Sequence, residues 1–364
     1  MKPRVAIVHD YLVDSGGAER VVIALHAQYP DAPIWTSVMD PQTTFADFRA
    51  MNVRTSFLQR LPVKKSNYKL LLPLFPLAFE SFDLSEYNVI ISSASAFAKG
   101  VITSPDALHV CYCHTPPRFA WRFHEYVAQE QIGRPTQAVI QLVVHYLRGW
   151  DYAAAQRVDE FIANSQATVR RIRKNYRRDA IVIHPPVAVD TFAPRADLGD
   201  YYLVVSRLAP YKRIDLAVEA FNELRMPLKI VGAGIDAARL RKMAAPNIEF
   251  LGHVPQTQLA VLYARARAII FPGIEDFGIV PLEANAAGRP VIAYAAAGAL
   301  ETLVDGVTGV FFREQTTAAL AEAVRAMDVT RFDARTLRQH AERFSQTRFR
   351  ERIAKFVEEK WRTR

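Results

Sequence analysis

At 364 residues the chain is too long for one ordinary hydrophobic core, so two domains are expected. Half of the residues are hydrophobic and 23% are charged, which excludes a disordered chain, while the net charge of +9 favours an anionic partner: nucleic acid, a phosphorylated substrate or an acidic membrane face. No run of about 18 apolar residues offers a membrane-spanning helix, and the first apolar run is too short for a signal peptide, so a cytoplasmic protein is expected, with peripheral membrane contact left open.

The run 5–8 predicts a strand ending in His9-Asp10-Tyr11, and the pattern over 18–29 predicts a helix. Between them stands Gly16-Gly17. Paired glycines at a helix start let backbone amides approach a phosphate, although an ordinary glycine turn would look the same. Residues 64–79 pass from Lys64-Lys65 into an apolar stretch broken by Pro73 and Pro76. A membrane-surface element and a core helix beneath a loop both fit it. Strands are predicted at 89–91 and 108–113. The second carries Cys111 and Cys113, the chain's two cysteines, on one face. No second pair exists to complete a zinc site, so buried thiols are expected rather than a metal site or a strained bridge. His114-Thr115-Pro116-Pro117 follows directly. The prolines fix the loop, and a histidine at a strand's carboxyl end is placed to meet a ligand or to serve structure. A helix over 137–158 and strands at 160–163 and 180–183 complete this half. The basic run 170–178 reads by default as a solvated helix face, with membrane electrostatics as the sharper alternative.

His184-Pro185-Pro186-Val187 and the irregular stretch 190–200 read as a linker. A second alternating series starts at Tyr201, with strands at 202–205, 228–231, 248–251, 268–271 and 290–293. The expected fold class is therefore α/β: two doubly wound Rossmann-like domains in tandem, 1–185 and 186–345, with ligands at the carboxyl ends of their strands. At those ends stand Ser206-Arg207-Leu208 and Lys212, cations that suit a diphosphate or a solvated basic loop. Gly232-Ala233-Gly234 and Gly252 would let a flat base or a ribose near the backbone, or would simply turn the chain. The most informative segment is Glu275-Asp276-Phe277-Gly278-Ile279-Val280-Pro281-Leu282-Glu283. Two carboxylates flank an apolar, glycine-containing turn between a strand and a helix, which suits a ligand rich in hydroxyl groups, such as a sugar or a ribose. At the end of the chain, 347–361 predicts an amphipathic helix with Phe349, Ile353, Phe356 and Val357 on one face.

Gly16-Gly17, His114-Thr115-Pro116, Ser206-Arg207-Leu208 with Lys212, Gly232-Ala233-Gly234 and Glu275 through Glu283 stand in the order found in the GT-B glycosyltransferases of family 4, also called group 1, which the chain resembles over nearly its whole length. The stretch from Tyr112 through Pro116-Pro117-Arg118 to Trp121 is similar to bacterial GDP-mannose-dependent mannosyltransferases of O-antigen and exopolysaccharide synthesis. The resemblance implies two Rossmann-like domains facing across a cleft. The first would bind the acceptor, with a terminal helix at about 346–364 packing back on it, and the second would bind the nucleotide sugar. It implies retaining transfer of a sugar, mannose from GDP-mannose, to a polyprenyl-diphosphate-linked or oligosaccharide acceptor in cell-surface polysaccharide synthesis. UDP-glucose, UDP-N-acetylglucosamine or a GDP-deoxysugar are the alternative donors.

By position, the resemblance gives Glu275 and His114 catalytic places at the transferred sugar. Arg207 and Lys212, with the amides of Gly16 and Gly17, would hold the donor diphosphate. The amides of Phe277, Gly278, Ile279 and Val280 would meet the sugar and the adjoining phosphate, and Glu283 the ribose hydroxyls. No metal and no other cofactor is implied, and the chain has no Asp-x-Asp pair of the kind that carries Mg²⁺ or Mn²⁺ in transferases of another fold. No nucleic acid is expected. A basic nucleic-acid-binding protein, the reading from a different class, calls for exposed aromatics among the basic runs, where Tyr68 and Tyr176 alone occur.

Overall fold

The computed structural model describes residues 3–61, 68–123 and 134–364. The chain divides into two compact units, Met1–Pro186 with Phe349–Arg364, and Val187–Arg348.

The first unit is built on seven parallel strands: β1 (Val5–His9), β2 (Ile34–Thr36), β3 (Val53–Thr55), β4 (Val89–Ala94), β5 (Leu108–Cys113), β6 (Glu160–Ala163) and β7 (Ile181–Val182), in the order β3-β2-β1-β4-β5-β6-β7. Every residue of β4 and β5 is buried, because helices cover both faces of the sheet. Their near-continuous apolar runs are the sequence mark of that double cover. The helices include Gly17–Gln28, Arg134–Gln156 and Gln166–Tyr176. The last is started by Ser165, whose hydroxyl accepts from the Thr168 amide, and is stopped by Arg177 in the left-handed region, φ 57°. The terminal helix Gln346–Arg362 adds Phe349, Ile353, Phe356 and Val357 to the core layer that also holds Val21, Leu25 and Ile91.

The second unit has six parallel strands: β8 (Tyr202–Val205), β9 (Leu228–Val231), β10 (Ile248–Gly252), β11 (Ile269–Phe271), β12 (Val291–Tyr294) and β13 (Gly309–Phe312), in the order β10-β9-β8-β11-β12-β13. Two apolar layers, one on each face, hold it. The α/β class with two Rossmann-like units is as expected. Strands β2, β3 and β13 have no counterpart among the predicted ones, because runs of three or four residues carry too little periodicity to be read.

Of the apolar stretch 64–79, Lys64 to Asn67 lie outside the described residues. The helix Phe75–Glu80 buries Phe75, Ala78 and Phe79, so this part of the run is core, with Leu77 exposed. Cys111 and Cys113 are buried free thiols, and burial pushes Cys111 up to about 12, which leaves it inert. Among the described residues no helix is long and apolar enough to cross a membrane.

Candidate functional site

In the second sheet the strand order reverses between β8 and β11, and in open parallel sheets that switch point is where ligands bind. The chain leaves β8 through Ser206-Arg207 and a 3-10 turn, Pro210–Lys212, before Arg213 adopts a left-handed conformation, φ 54°, ahead of helix Ile214–Leu224. It leaves β11 through Pro272-Gly273 toward Glu275. The two exits meet: Lys212 Nζ donates to Glu275 Oε1 in a partly buried ion pair. The ring of Tyr211 lies 5.7 Å from the Arg207 guanidinium and 5.3 Å from Lys212 Nζ, so one ring stands beside both cations, and Arg207 also donates to the Tyr211 hydroxyl.

Glycines make this convergence possible by letting backbone touch backbone. A Cβ at Gly273 would lie 2.7 Å from the Lys212 carbonyl oxygen, and one at Gly298 only 2.1 Å from that of Phe277. The Gly298 amide donates to the Glu275 carbonyl oxygen at 2.9 Å, and Ala297 before it is held at φ 45°. The loop after β12 thus grips the segment that carries Glu275. Gly232 and Gly234 receive the same explanation: a Cβ at either would come within 1.9 and 2.0 Å of the Ser206 and Leu208 carbonyl oxygens. Between turn chemistry and ligand approach, close packing of the β8 and β9 exits accounts for both.

Gly278, at φ 83°, turns the chain into helix Val280–Ala286. The N–H groups of Gly278, Ile279 and Val280 have no acceptor among the described residues, as befits the free donors of a helix start. Glu283 sits in the first turn of that helix, buried, and accepts from the Tyr263 hydroxyl at 2.9 Å. The structure therefore brings Lys212, Glu275 and Arg207 together through Tyr211, and fixes Glu283 from the core side.

In the first unit the order reverses between β1 and β4. Asp10, just past β1, is buried, and its two carboxylate oxygens accept from the amides of Ser95, Ala96, Phe97 and Ala98 at 2.6–2.9 Å. A carboxylate thereby shapes the loop after β4. His9 Nε2 stands 3.8 Å from Glu19 Oε1. Burial works against a charge on His9, but the Glu19 carboxylate, with Asp10 and the Ser93 carbonyl, outweighs it and holds its pKa above the ordinary histidine value. Glu19 also accepts from the Gly16 amide at 2.9 Å, the half of a capping box that a glycine at the start of helix Gly17–Gln28 allows. The Gly16 amide is thus already engaged inside its own helix turn. His114 follows β5 with its amide on the Ala94 carbonyl oxygen, and its own carbonyl accepts from the Thr168 hydroxyl at 3.1 Å. Burial, with charged His9 nearby, depresses its pKa to about 3, so its ring is neutral.

Several of these residues had no assigned role in the sequence reading: Asp10, Tyr211 and Gly298. Only Asp10 and Gly298 carried any signal, a polar strand end and a glycine in an alanine run, and neither shows its partner in sequence. In the basic run, Tyr176 is fully buried and Arg170, Arg173, Lys174 and Arg177 are exposed, which makes the helix a solvated face over core rather than a base-stacking surface. The Tyr68 side chain lies outside the described residues. A cavity of about 890 Å³ opens at the amino ends of the first sheet's strands, lined by Tyr29, Tyr87, Val357 and Trp361, and holds none of the residues above.

The sequence matches the family described as "Glycosyltransferase Family 4" over residues 15–191 and "Glycosyl transferases group 1" over residues 194–342. It is 36% identical over 177 residues to a GDP-mannose-dependent alpha-(1-6)-phosphatidylinositol monomannoside mannosyltransferase of Mycolicibacterium smegmatis, a match covering 40% of this chain and 46% of that one. The chain thus spans about half the length of this relative. It is 27% identical to the Homo sapiens alpha-1,3/1,6-mannosyltransferase ALG2, across 89% of this chain and 86% of that one. Among solved structures, Anabaena Alr3699/HepE in complex with UDP and glucose aligns with a TM-score of 0.71 at 19% identity, covering 98% and 100% of the two chains, a likeness of GT-B fold.

Proposed function

Because the chain belongs to the group 1 glycosyltransferases of family 4, we propose that it transfers mannose from GDP-mannose, with retention, to a lipid-linked or saccharide acceptor in cell-surface polysaccharide synthesis. The observation that carries the reading is the Lys212–Glu275 pair at the β8/β11 switch point, beside Arg207 and three amides without acceptors. Two cations there suit a diphosphate, and a carboxylate within reach of the same ammonium suits the hydroxyl groups of the sugar that the diphosphate carries. The mannosyltransferase names of two relatives support the choice of sugar.

In the proposed transfer the bond from the anomeric carbon to the diphosphate oxygen breaks as the acceptor oxygen bonds to that carbon on the same face. The acceptor's proton passes to the departing phosphate oxygen. Arg207 and Lys212 stabilise the charge that grows there, so no metal ion is required on this reading. Glu275 and the amides of Phe277, Gly278, Ile279 and Val280 hold the sugar, and Glu283 holds the ribose while Tyr263 steadies it. On the first unit, His114 is assigned to the sugar and the Gly17 amide to the phosphate, the Gly16 amide being held by Glu19. We place the enzyme in the cytoplasm, peripheral to the membrane that carries its acceptor.

Two measurements test this. Purified protein in EDTA is mixed with a panel of nucleotide sugars; GDP-mannose should raise the melting temperature, by about 2.7 kcal/mol of added stability at a hundredfold excess over Kd. A response confined to a UDP-sugar would overturn the donor, and no response to any nucleotide sugar would overturn the transferase reading. Glu275→Ala should lose transfer by about a hundredfold or more with its circular dichroism unchanged. Full activity in that variant refutes the site.

A further inference from the structure

His9 at the end of β1, Ser93 in β4 and His114 after β5 form one polar line across three neighbouring strands. His9 Nδ1 lies 3.0 Å from the Ser93 carbonyl oxygen and 3.2 Å from the Ser93 hydroxyl oxygen. The same hydroxyl lies 2.8 Å from His114 Nε2. A carbonyl oxygen can only accept, so His9 Nδ1 carries a proton and shares it between the two oxygens. Toward His9 the Ser93 hydroxyl is then an acceptor, and its own proton has one direction left, the lone pair of His114 Nε2. The opposite polarity, with His114 Nε2–H donating, would leave a hydroxyl proton without an acceptor on a residue at 0% exposure, which buried polar groups avoid.

We propose that Ser93 and His9 are positioning residues that fix His114 as the neutral Nδ1–H tautomer, so that His114 meets its ligand as a hydrogen-bond donor and not as a base at Nδ1. His114 Nδ1 makes no hydrogen bond among the described residues, so its proton is available to an incoming oxygen. The identity of that oxygen, a sugar hydroxyl, rests on the function proposed above; the tautomer does not. The low pKa of His114 agrees with a neutral ring, and Glu19 anchors the far end of the line beside His9 Nε2. Neither histidine is asked to move a proton: the line orients, as the outer partners of functional histidines do elsewhere.

The test is a long-range proton–nitrogen spectrum of protein labelled at its histidine nitrogens, at neutral pH, with His114→Gln identifying the signal. The expected pattern is a protonated Nδ1 and an unprotonated Nε2. Ser93→Ala should mix or reverse it, and Ser93→Thr, which keeps the hydroxyl, should preserve it. A His114 found as Nε2–H or charged, or unaltered in Ser93→Ala, overturns the proposal. The wild-type spectrum decides the tautomer even where Ser93→Ala does not fold, and it needs no substrate, so it stands or falls apart from the transferase reading. In a transfer assay Ser93→Ala should lower kcat/KM about tenfold, the weight of one neutral hydrogen bond, with recovery in Ser93→Thr. Equal losses in both variants would make Ser93 a packing residue and sink its positioning role.

Discussion

The candidate donor site is made by single residues whose value lies in what they do not have. Gly298 is the clearest. Its missing side chain admits the Phe277 carbonyl oxygen, and its amide holds the Glu275 carbonyl. Gly298→Ala should therefore cost about 2 kcal/mol or more, by pushing the Glu275 segment away, and should weaken nucleotide-sugar binding in the same variant. Gly149 is the control: it lies in helix Arg134–Gln156 with open space where a Cβ would go, and Gly149→Ala should stabilise by about 0.5–1 kcal/mol. Melting followed by calorimetry checks both; equal behaviour of the two glycines would refute the packing argument. The charged members, Arg207, Lys212 and Glu275, were legible from the sequence because they stand where strands end. Gly298 and Ser93 were not, because each acts through a contact with a segment distant in sequence, and Tyr211 was not, because only the turn's conformation sets its ring beside the two cations.

Among elements, legibility followed length. Helix Gln346–Arg362 shows its buried face in the spacing of Phe349, Ile353, Phe356 and Val357, since one face of a helix recurs every three to four residues. Strands β2, β3 and β13 are too short to show any period, and their place comes from neighbours that are far away in the chain. The terminal helix also makes a strong demand on stability. Ile353 is fully buried in the first unit's core, so Ile353→Ala should destabilise that unit by about 2–5 kcal/mol, although it lies only 11 positions before Arg364. Urea unfolding followed by tryptophan emission measures it, because all four tryptophans, Trp35, Trp121, Trp150 and Trp361, belong to the first unit. A loss below 1 kcal/mol would show the helix to be a dispensable appendage.

For the molecule as a whole, alternation of strands and helices was enough to read two Rossmann-like units, but the order of strands within each sheet, and with it the two switch points, required the structure. The same emission signal isolates a pH effect. Burial holds His109 down to about 4, Asp159 opposing and Arg157 adding, and His114 down to about 3. Folded protein thus refuses protons that the unfolded chain takes up near the ordinary histidine value of 6.5. This stability is complete above that value and is lost as pH falls from about 6.5 toward 4, with roughly 3 kcal/mol as the upper bound for His109. His9, with its raised pKa, acts in the other window: its contribution is complete below 6.5 and fades as pH rises through the folded value. The urea midpoint of the first unit should fall between pH 6.5 and 4, and His109→Gln should flatten the fall; an unchanged slope would remove His109 from the account. The terminal helix has one more consequence, in the order of synthesis. Residues up to 186 are made before 187–348, yet the layer around Val21 and Leu25 lacks Phe349 and Ile353 until those residues follow. At about 5–20 residues per second, making residues 187–348 takes roughly ten to thirty seconds, so the first unit is completed only after the whole of the second has been made, and its apolar face waits in the cell for this helix.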